Sequence, residues 1–278
     1  MGDLTPIPRS YPLGATSWIE VAQPDLDAGV AFYGDLFGWE FADLLPTDAP
    51  GRYVIATLDG LDVAALAGPA ESPAAWSTYV AVADADAVTR SMVEHGATVR
   101  SEPADAGDAG RAATLTDPQG AEVRLWRARR RRGAQVANVP GAWNFSDLRT
   151  TDPAAAGAFY ADVLGWRLVD QGWATVIQVP GYGDHLAATS DPDIHGRQAL
   201  APEGFADVIG AIGRAADGEP AHWHVTFTVA DRDAAADAVR RLGGEVEQTT
   251  EDEWTRKAVV RDPQGVRFTL SQFTPPDW

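Results

Sequence analysis

The chain has no cysteine. That absence excludes disulfides, thiolate nucleophiles and every cysteine-ligated metal site. Lysine is almost as scarce. Lys257 stands alone, so any Schiff-base chemistry has one side chain to rest on. No run of eighteen apolar residues occurs, which excludes a helical membrane span. The opening "MGDLTPIPRSYPLG" lacks the apolar stretch of a secretory leader, so a cytoplasmic protein is expected. Positive charge is short, with 22 Lys and Arg against 40 Asp and Glu and a net charge of −18. Nucleic-acid binding depends on neutralising phosphates and is not expected of so acidic a chain. The local exception, "RARRRR" from Arg127 to Arg132, reads as a solvated basic linker balancing the acidic segments around it. No Gly-x-Ser-x-Gly elbow, P-loop or dinucleotide fingerprint is present, so the common hydrolase and nucleotide readings lack support.

What the chain does have is repetition. "FYGDLFGWEF", residues 32–41, returns 127 positions later as "FYADVLGWRL", residues 159–168. Each word ends a strand–helix unit. Asp25 and Asp152 stand at the N-cap position, and Pro153 follows at the first helical position, where its missing N–H does no harm. Leu26, Val30, Tyr33 and Phe37 fall on one helical stripe that must face a core. Gly38 and Gly165 then supply the left-handed residue that closes a helix.

A second pair follows at an offset of 147, "WSTYVAVADADAVTRSMVEHGATV" from Trp76 and "WHVTFTVADRDAAADAVRRLGGEV" from Trp223. Both read as an alternating strand, an Asp-rich turn, an Ala-rich helix, a glycine stop and another strand. Both run into "DPQG", at Asp117–Gly120 and Asp262–Gly265, a turn before a last strand. The larger offset implies an insertion in the second copy, expected within about 190–221 as a loop with a short helix. "GYGDH" near Tyr182 reads as a turn between strands.

This order, with its "DL…FY…LFGW" and "DPQG" words written twice, resembles the vicinal oxygen chelate superfamily of glyoxalases, bleomycin-resistance proteins and extradiol dioxygenases. The likeness covers nearly the whole chain, and tandem glyoxalase-like members are the most similar. It implies an α+β fold of two tandem domains, each a pair of βαβββ modules whose sheet forms an open cup for a ligand. The boundaries expected are an N-terminal arm at 1–13, domains at 14–127 and 141–278, and a linker at 128–140. Each domain is expected to bury its own core.

The resemblance also places three metal-ligand positions in each copy. They fall on Trp18, Ser77 and Arg124 in the first and on Phe145, His224 and Thr269 in the second. Only His224 is a metal donor, and a divalent ion needs about three protein donors. No metal or other cofactor is therefore expected. An irregular alternative is His222, His224 and Asp147, because alternate strand residues share a face and two histidines with a carboxylate suit zinc or non-haem iron.

By the same period of two, the first copy turns Trp18, Glu20, Ser77, Tyr79, Arg124 and Trp126 inward. Aromatic walls with one carboxylate and one guanidinium suit a flat organic molecule, unless Glu20 and Arg124 simply pair. The second copy offers Phe145, Asp147, His224, Thr226, Arg267 and Thr269, in which an acid beside a histidine is the minimum for acid–base work. His95, His185 and His195 read as surface residues. A metal-independent enzyme that isomerises, cyclises, cleaves or hydroxylates a largely apolar metabolite is expected, in detoxification or secondary metabolism. Its catalytic residues would be Asp147, His224 and Glu20. The partner is a small organic molecule, with neither nucleic acid nor membrane, and the chain is a monomer or homodimer. The alternatives are a non-catalytic protein that sequesters a drug or metabolite, and a metal-dependent lyase or dioxygenase at His222, His224 and Asp147.

Overall fold

The computed structural model describes residues 8–46, 48–70 and 75–275. The first copy runs β1 (Thr16–Ala22), α1 (Leu26–Phe37), β2 (Glu40–Asp43), β3 (Arg52–Leu58), β4 (Leu61–Gly68), β5 (Ser77–Ala81), α2 (Ala85–Glu94), β6 (Thr98–Ala106), β7 (Gly110–Thr116) and β8 (Glu122–Ala128). The second runs β9 (Trp143–Thr150), α3 (Pro153–Leu164), β10 (Arg167–Asp170), β11 (Thr175–Gln178), α4 (Tyr182–Thr189), α5 (Ile194–Arg197), β12 (Val208–Arg214), β13 (His222–Thr228), α6 (Arg232–Arg241), β14 (Glu245–Glu251), β15 (Thr255–Arg261) and β16 (Arg267–Phe273). The strands form two eight-stranded sheets, ordered β2-β3-β4-β1-β5-β8-β7-β6 and β10-β11-β12-β9-β13-β16-β15-β14. The two orders correspond strand for strand, and each copy is a pair of βαβββ modules in an α+β fold.

The helix ends follow from single residues. The Asp25, Asp84, Asp152 and Asp231 carboxylates accept the backbone N–H groups of Ala28, Ala87, Ala155 and Ala234. Gly38 and Gly165 close their helices at φ 73° and 71° and return their N–H groups to Gly34 and Ala161. The buried stripe of α1 is Leu26, Gly29, Phe32, Tyr33 and Phe37, while Val30 lies at its edge, half-buried. No helix among the described residues is long and apolar enough to cross a membrane.

The copies differ most between their third and fourth strands. In the first, Asp59 and Gly60 make a two-residue hairpin, both with positive φ (50° and 77°). In the second, residues 179–207 fill the same connection with α4, α5 and a 3-10 turn at Phe205–Asp207. The extra segment thus begins earlier than the expected 190–221, and Val208–Arg214 is a strand. Its glycines hid it: a Cβ on Gly210 would lie 2.2 Å from the Ser146 carbonyl oxygen, so close approach demands the residue that looks like a loop signal. "GYGDH" opens a helix instead of making a turn, because Asp207 accepts from the Gly181 and Gly183 N–H groups and anchors the first turn of α4.

The chain gathers into two compact units that cut across the repeat. The first unit takes the chain up to Trp18, Thr78–Gln135 and Ser146–Trp223. The second takes Ile19–Ser77, Val136–Phe145 and the chain from His224 onward. Each joins the first module of one copy to the second module of the other, so the expectation that each copy buries its own core is corrected. In the second unit α1 packs against α6, and in the first α2 packs against α3.

The repeated words cause this exchange. Tyr33 of the first "FY" donates to Asp262 of the second "DPQG" at 2.9 Å, and Tyr160 of the second "FY" donates to Asp117 of the first "DPQG" at 3.0 Å. Trp39 Nε1 donates to the Gly141 carbonyl and Trp166 Nε1 to the Gly14 carbonyl, each at 2.7 Å. All four donors are buried. Burial pushes the Tyr33 and Tyr160 hydroxyls well above their ordinary pKa. It also raises the Asp117 carboxyl, although hydrogen bonds from Ala121, Tyr160 and Gln119 pull the other way.

Candidate functional site

Alternation along the strands separates a core face from a second face. On β13, Trp223, Val225 and Phe227 are 0–3% exposed, whereas His224, Thr226 and Thr228 are 8–9%. On β16, Phe268 and Leu270 are fully buried, while Thr269 and Ser271 keep 6–7%. The parallel register of β13 with β16 sets Thr226 opposite Thr269 and Thr228 opposite Ser271. The antiparallel register of β16 with β15 then sets Val259 opposite Thr269 and Lys257 opposite Ser271. The second unit thereby acquires a continuous hydroxyl-lined face. Its apolar opposite side is covered by α6.

His224 is the chemical centre of that face. Its Nε2 lies 2.7 Å from Thr269 Oγ1, in a buried contact. Thr228 Oγ1 accepts from Asn144 Nδ2 at 3.1 Å. Arg267 donates to Glu247 at 2.7 Å, and Glu247 also accepts from Arg261, so one carboxylate bridges two guanidiniums. Those partners hold Glu247 below its usual pKa against the opposing effect of desolvation. Trp254 stacks on Phe273 at 6.2 Å and 21° at the end of β16. Glu20 belongs to the same unit, is 8% exposed, and accepts from the Tyr53 hydroxyl at 2.8 Å. Ser77 and Phe145, also in this unit, are half-buried.

In the first unit, Tyr79, Arg124 and Trp126 lie together. The Arg124 guanidinium lies 5.5 Å from the Tyr79 ring centroid and donates to its hydroxyl at 3.1 Å. Arg124 Nε also donates to Glu122 at 2.9 Å. Trp126 meets the Tyr79 ring edge-on at 6.3 Å and donates to the Arg131 carbonyl. Trp18 is half-buried. Asp147 accepts from the Ala211 N–H at 2.9 Å and from Arg149 at 3.3 Å. Arg129 and Arg130 of the basic run pair with Asp105 and Asp108.

The remaining histidines divide. His222 Nδ1 sits 2.9 Å from the Pro220 carbonyl and Nε2 3.8 Å from Glu219. His95 and His195 are exposed, His195 being 3.0 Å from Asp184. His185 is not a surface residue: it is half-buried, and its Nε2 lies 3.0 Å from Ser10 Oγ and 3.1 Å from the Ser10 carbonyl. A pocket of about 390 Å³ in the 179–207 segment is lined by Asp184, His195, Gln198, Glu203 and Phe205 among others, and holds none of the sequence-predicted residues.

The family's chelating metal does not fit these side chains. Its three positions carry Trp, Ser and Arg in one copy and Phe, His and Thr in the other. The single imidazole among them is already bonded to Thr269. Among the described residues no group of three or more His, Asp or Glu is arranged to hold a metal ion. Sequence reasoning passed over Tyr53, Thr228, Glu247 and Ser271. Alternation could have found Thr228 and Ser271, but the partners of Glu20 and Arg267 lie on strands whose register the sequence does not state.

The sequence pattern of the Glyoxalase/Bleomycin resistance protein/Dioxygenase superfamily matches residues 16–125 and 143–270. CFP32 of Mycobacterium tuberculosis, provisionally named a glyoxylase, is 36% identical over 273 residues, covering 95% of this chain and 97% of its own. The anthracycline biosynthesis protein DnrV of Streptomyces peucetius is 34% identical over 274 residues, covering 92% of each. In fold, the chain is similar to the Mn(II)-bound glyoxalase from Novosphingobium aromaticivorans, with TM-score 0.62 and 17% identity over 95% of this chain and 84% of that one. It is similar also to the 2,3-dioxygenase LapB from Pseudomonas sp. KL28, with TM-score 0.61 and 16% identity over 96% of both. With both copies matched by one family pattern and relatives aligned along nearly their whole length, the chain belongs to the glyoxalase/bleomycin resistance protein/dioxygenase superfamily.

Proposed function

We propose that the chain is an enzyme acting on a largely apolar organic compound, without a metal at the family's ligand positions and with His224 as its acid–base group. The observation that carries this reading is the buried His224–Thr269 contact of 2.7 Å at two of those positions. A threonine hydroxyl both donates and accepts, so it orients the imidazole in either tautomer. An imidazole whose ordinary pKa lies near neutrality transfers protons in both directions. Glu20, on the other sheet of the same unit and held by Tyr53, is a further positioned carboxyl group. Proton transfer of this kind underlies isomerisation, cyclisation and lyase reactions. The relative named for anthracycline biosynthesis supports a place in secondary metabolism, with detoxification as the other setting. The reading includes a cytoplasmic location and a monomer or homodimer.

A rival is sequestration without turnover. It draws on Asp147, whose carboxylate is taken up by Ala211 and Arg149, an arrangement suited to structure more than to proton transfer. The deciding assay offers the chelator-treated protein a panel of α-hydroxycarbonyl, catechol and quinone compounds in air. Turnover should persist in chelator and fall by about two to four powers of ten in His224→Ala. Undiminished turnover in the variant, or activity lost to chelator and restored by a metal, overturns the proposal. Tight binding with no product favours sequestration.

A further inference from the structure

Of the chain's 22 cationic side chains, one is a lysine, and its strand register places it on the face that carries His224. Lys257 lies opposite Ser271 between β15 and β16, and Ser271 lies opposite Thr228 between β16 and β13. Partners across a sheet share a face, so Lys257, Ser271 and Thr228 form one row beside the Val259, Thr269 and Thr226 row. Burial agrees with this placement. Ala258 and Val260 on either side of Val259 are fully buried, while Lys257 keeps 42% of its side chain exposed.

The other cations of this face, Arg261 and Arg267, are both engaged with Glu247. Lys257 differs. Its ammonium lies 3.9 Å from Asp252 Oδ2, beyond hydrogen-bond length, and it makes no hydrogen bond among the described residues. Asp252 is meanwhile spent on the hairpin, accepting from Trp254 N, Thr255 N and Thr255 Oγ1. That turn holds Trp254 stacked on Phe273, which is 63% exposed and lies opposite Thr255, one step along the face from Lys257. Phe273 thus leaves most of its ring open beside Lys257, where an aromatic ligand can lie against it. A compact ammonium suits a single anionic oxygen, where a guanidinium would seek a two-pronged partner.

We infer that Lys257 is the anion-binding residue of the His224 face and that Trp254 and Phe273 are its stacking rim, so the ligand is a planar aromatic compound bearing an anionic oxygen. This rests on the reading of that face as the ligand site. It adds the ligand's charge and shape, and it names Lys257 as a specificity-determining residue.

The test titrates the full-length protein calorimetrically with 2-naphthoate and with its uncharged isostere 2-naphthamide. 2-Naphthoate should bind at least about tenfold more tightly. Lys257→Met and Lys257→Gln should each erase that preference and leave 2-naphthamide affinity unchanged, while Phe273→Ala should weaken both compounds. Bound 2-naphthoate should also shield Lys257 from acylation, read as one site by mass spectrometry. Equal affinities in the native protein, a preference that survives both lysine variants, or no saturation by about 10 mM would overturn the inference. The outcome separates from that of the functional proposal. Charge preference lost in Lys257→Met beside undiminished turnover in His224→Ala leaves the binding site standing and removes the catalytic role.

Discussion

Around Tyr33 the second unit gathers Phe37, Trp39, Trp76, Phe227 and Phe268, with centroids 4.8–6.5 Å apart. Around Tyr160 the first unit keeps Trp166 and Trp223 but has Leu164, Val80 and Val123 where its counterpart has Phe37, Phe227 and Phe268. The same four words therefore enclose an aromatic core in one unit and a largely aliphatic one in the other. The buried aspartates differ as well. Asp262 accepts from Tyr33 and from Gln23 Nε2 at 2.7 Å, besides the Gln264 and Val266 N–H groups. Asp117 has Tyr160 and the Gln119 and Ala121 N–H groups, and the position matching Gln23 is Thr150, whose buried Oγ1 has no hydrogen-bond partner among the described residues. The scaffold words are held constant by the bonds they make, and the positions between them were free to diverge. The matched carboxylates show the same freedom: Glu20 is held by a phenol, and Asp147 by a backbone N–H and an arginine.

The sharpest way to break this comparison is to shave equivalent core residues. Phe227→Ala should cost about 3–5 kcal/mol, the usual range for a buried phenylalanine, because it empties the centre of four ring contacts. Val80→Ala, its counterpart, should cost about 2 kcal/mol, two buried carbon groups at roughly 0.8 each plus a small cavity. Urea unfolding of both variants measures the gap, and equal losses would mean that the two cores are not organised differently.

The next largest effect should come from the tyrosine–aspartate bonds. Tyr160→Phe and Tyr33→Phe each remove a hydrogen bond to a buried carboxyl group, worth about 1.5–3 kcal/mol. The loss should be greater for Tyr160, since Asp262 retains Gln23. The pH dependence sharpens the point. A carboxyl raised in the folded state adds stability that is complete below its unfolded pKa of about 4 and is lost as pH rises through the folded value. Tyr160→Phe withdraws a donor from the Asp117 carboxylate, raising it further and deepening that loss. Urea midpoints between about pH 3 and 8 should fall more steeply for this variant than for the native protein. Parallel profiles would show that Tyr160 does not hold the Asp117 carboxylate.

The smallest effect tests the unpaired hydroxyl. Thr150→Val replaces a buried oxygen that has no partner among the described residues with a methyl of similar size, so stability should be unchanged or should rise by up to about 1 kcal/mol. A clear destabilisation would point to a bound water at Thr150 that bridges to its surroundings.

The modules follow from the local pattern of the chain. Asp at the N-cap, Gly at the helix end and strict alternation in the strands are local rules, and they placed α1, α3, β13 and β16 and assigned Thr226, His224 and Thr269 to one face. The insertion was misplaced because Gly210 serves a close backbone approach, which a one-dimensional reading takes for a loop. The pairings of Glu20 with Tyr53 and of Arg267 with Glu247 were out of reach for a related reason: strand register brings together residues dozens of positions apart. The exchange of modules between the cores is set by long-range packing instead. Tyr33 reaches Asp262 across 229 positions, and Tyr160 reaches Asp117 across 43. Two copies of one word offer each tyrosine an identical aspartate in its own copy and in the other. Nothing local distinguishes those partners. The choice belongs to the packed chain, in which α1 lies on α6 and α2 on α3.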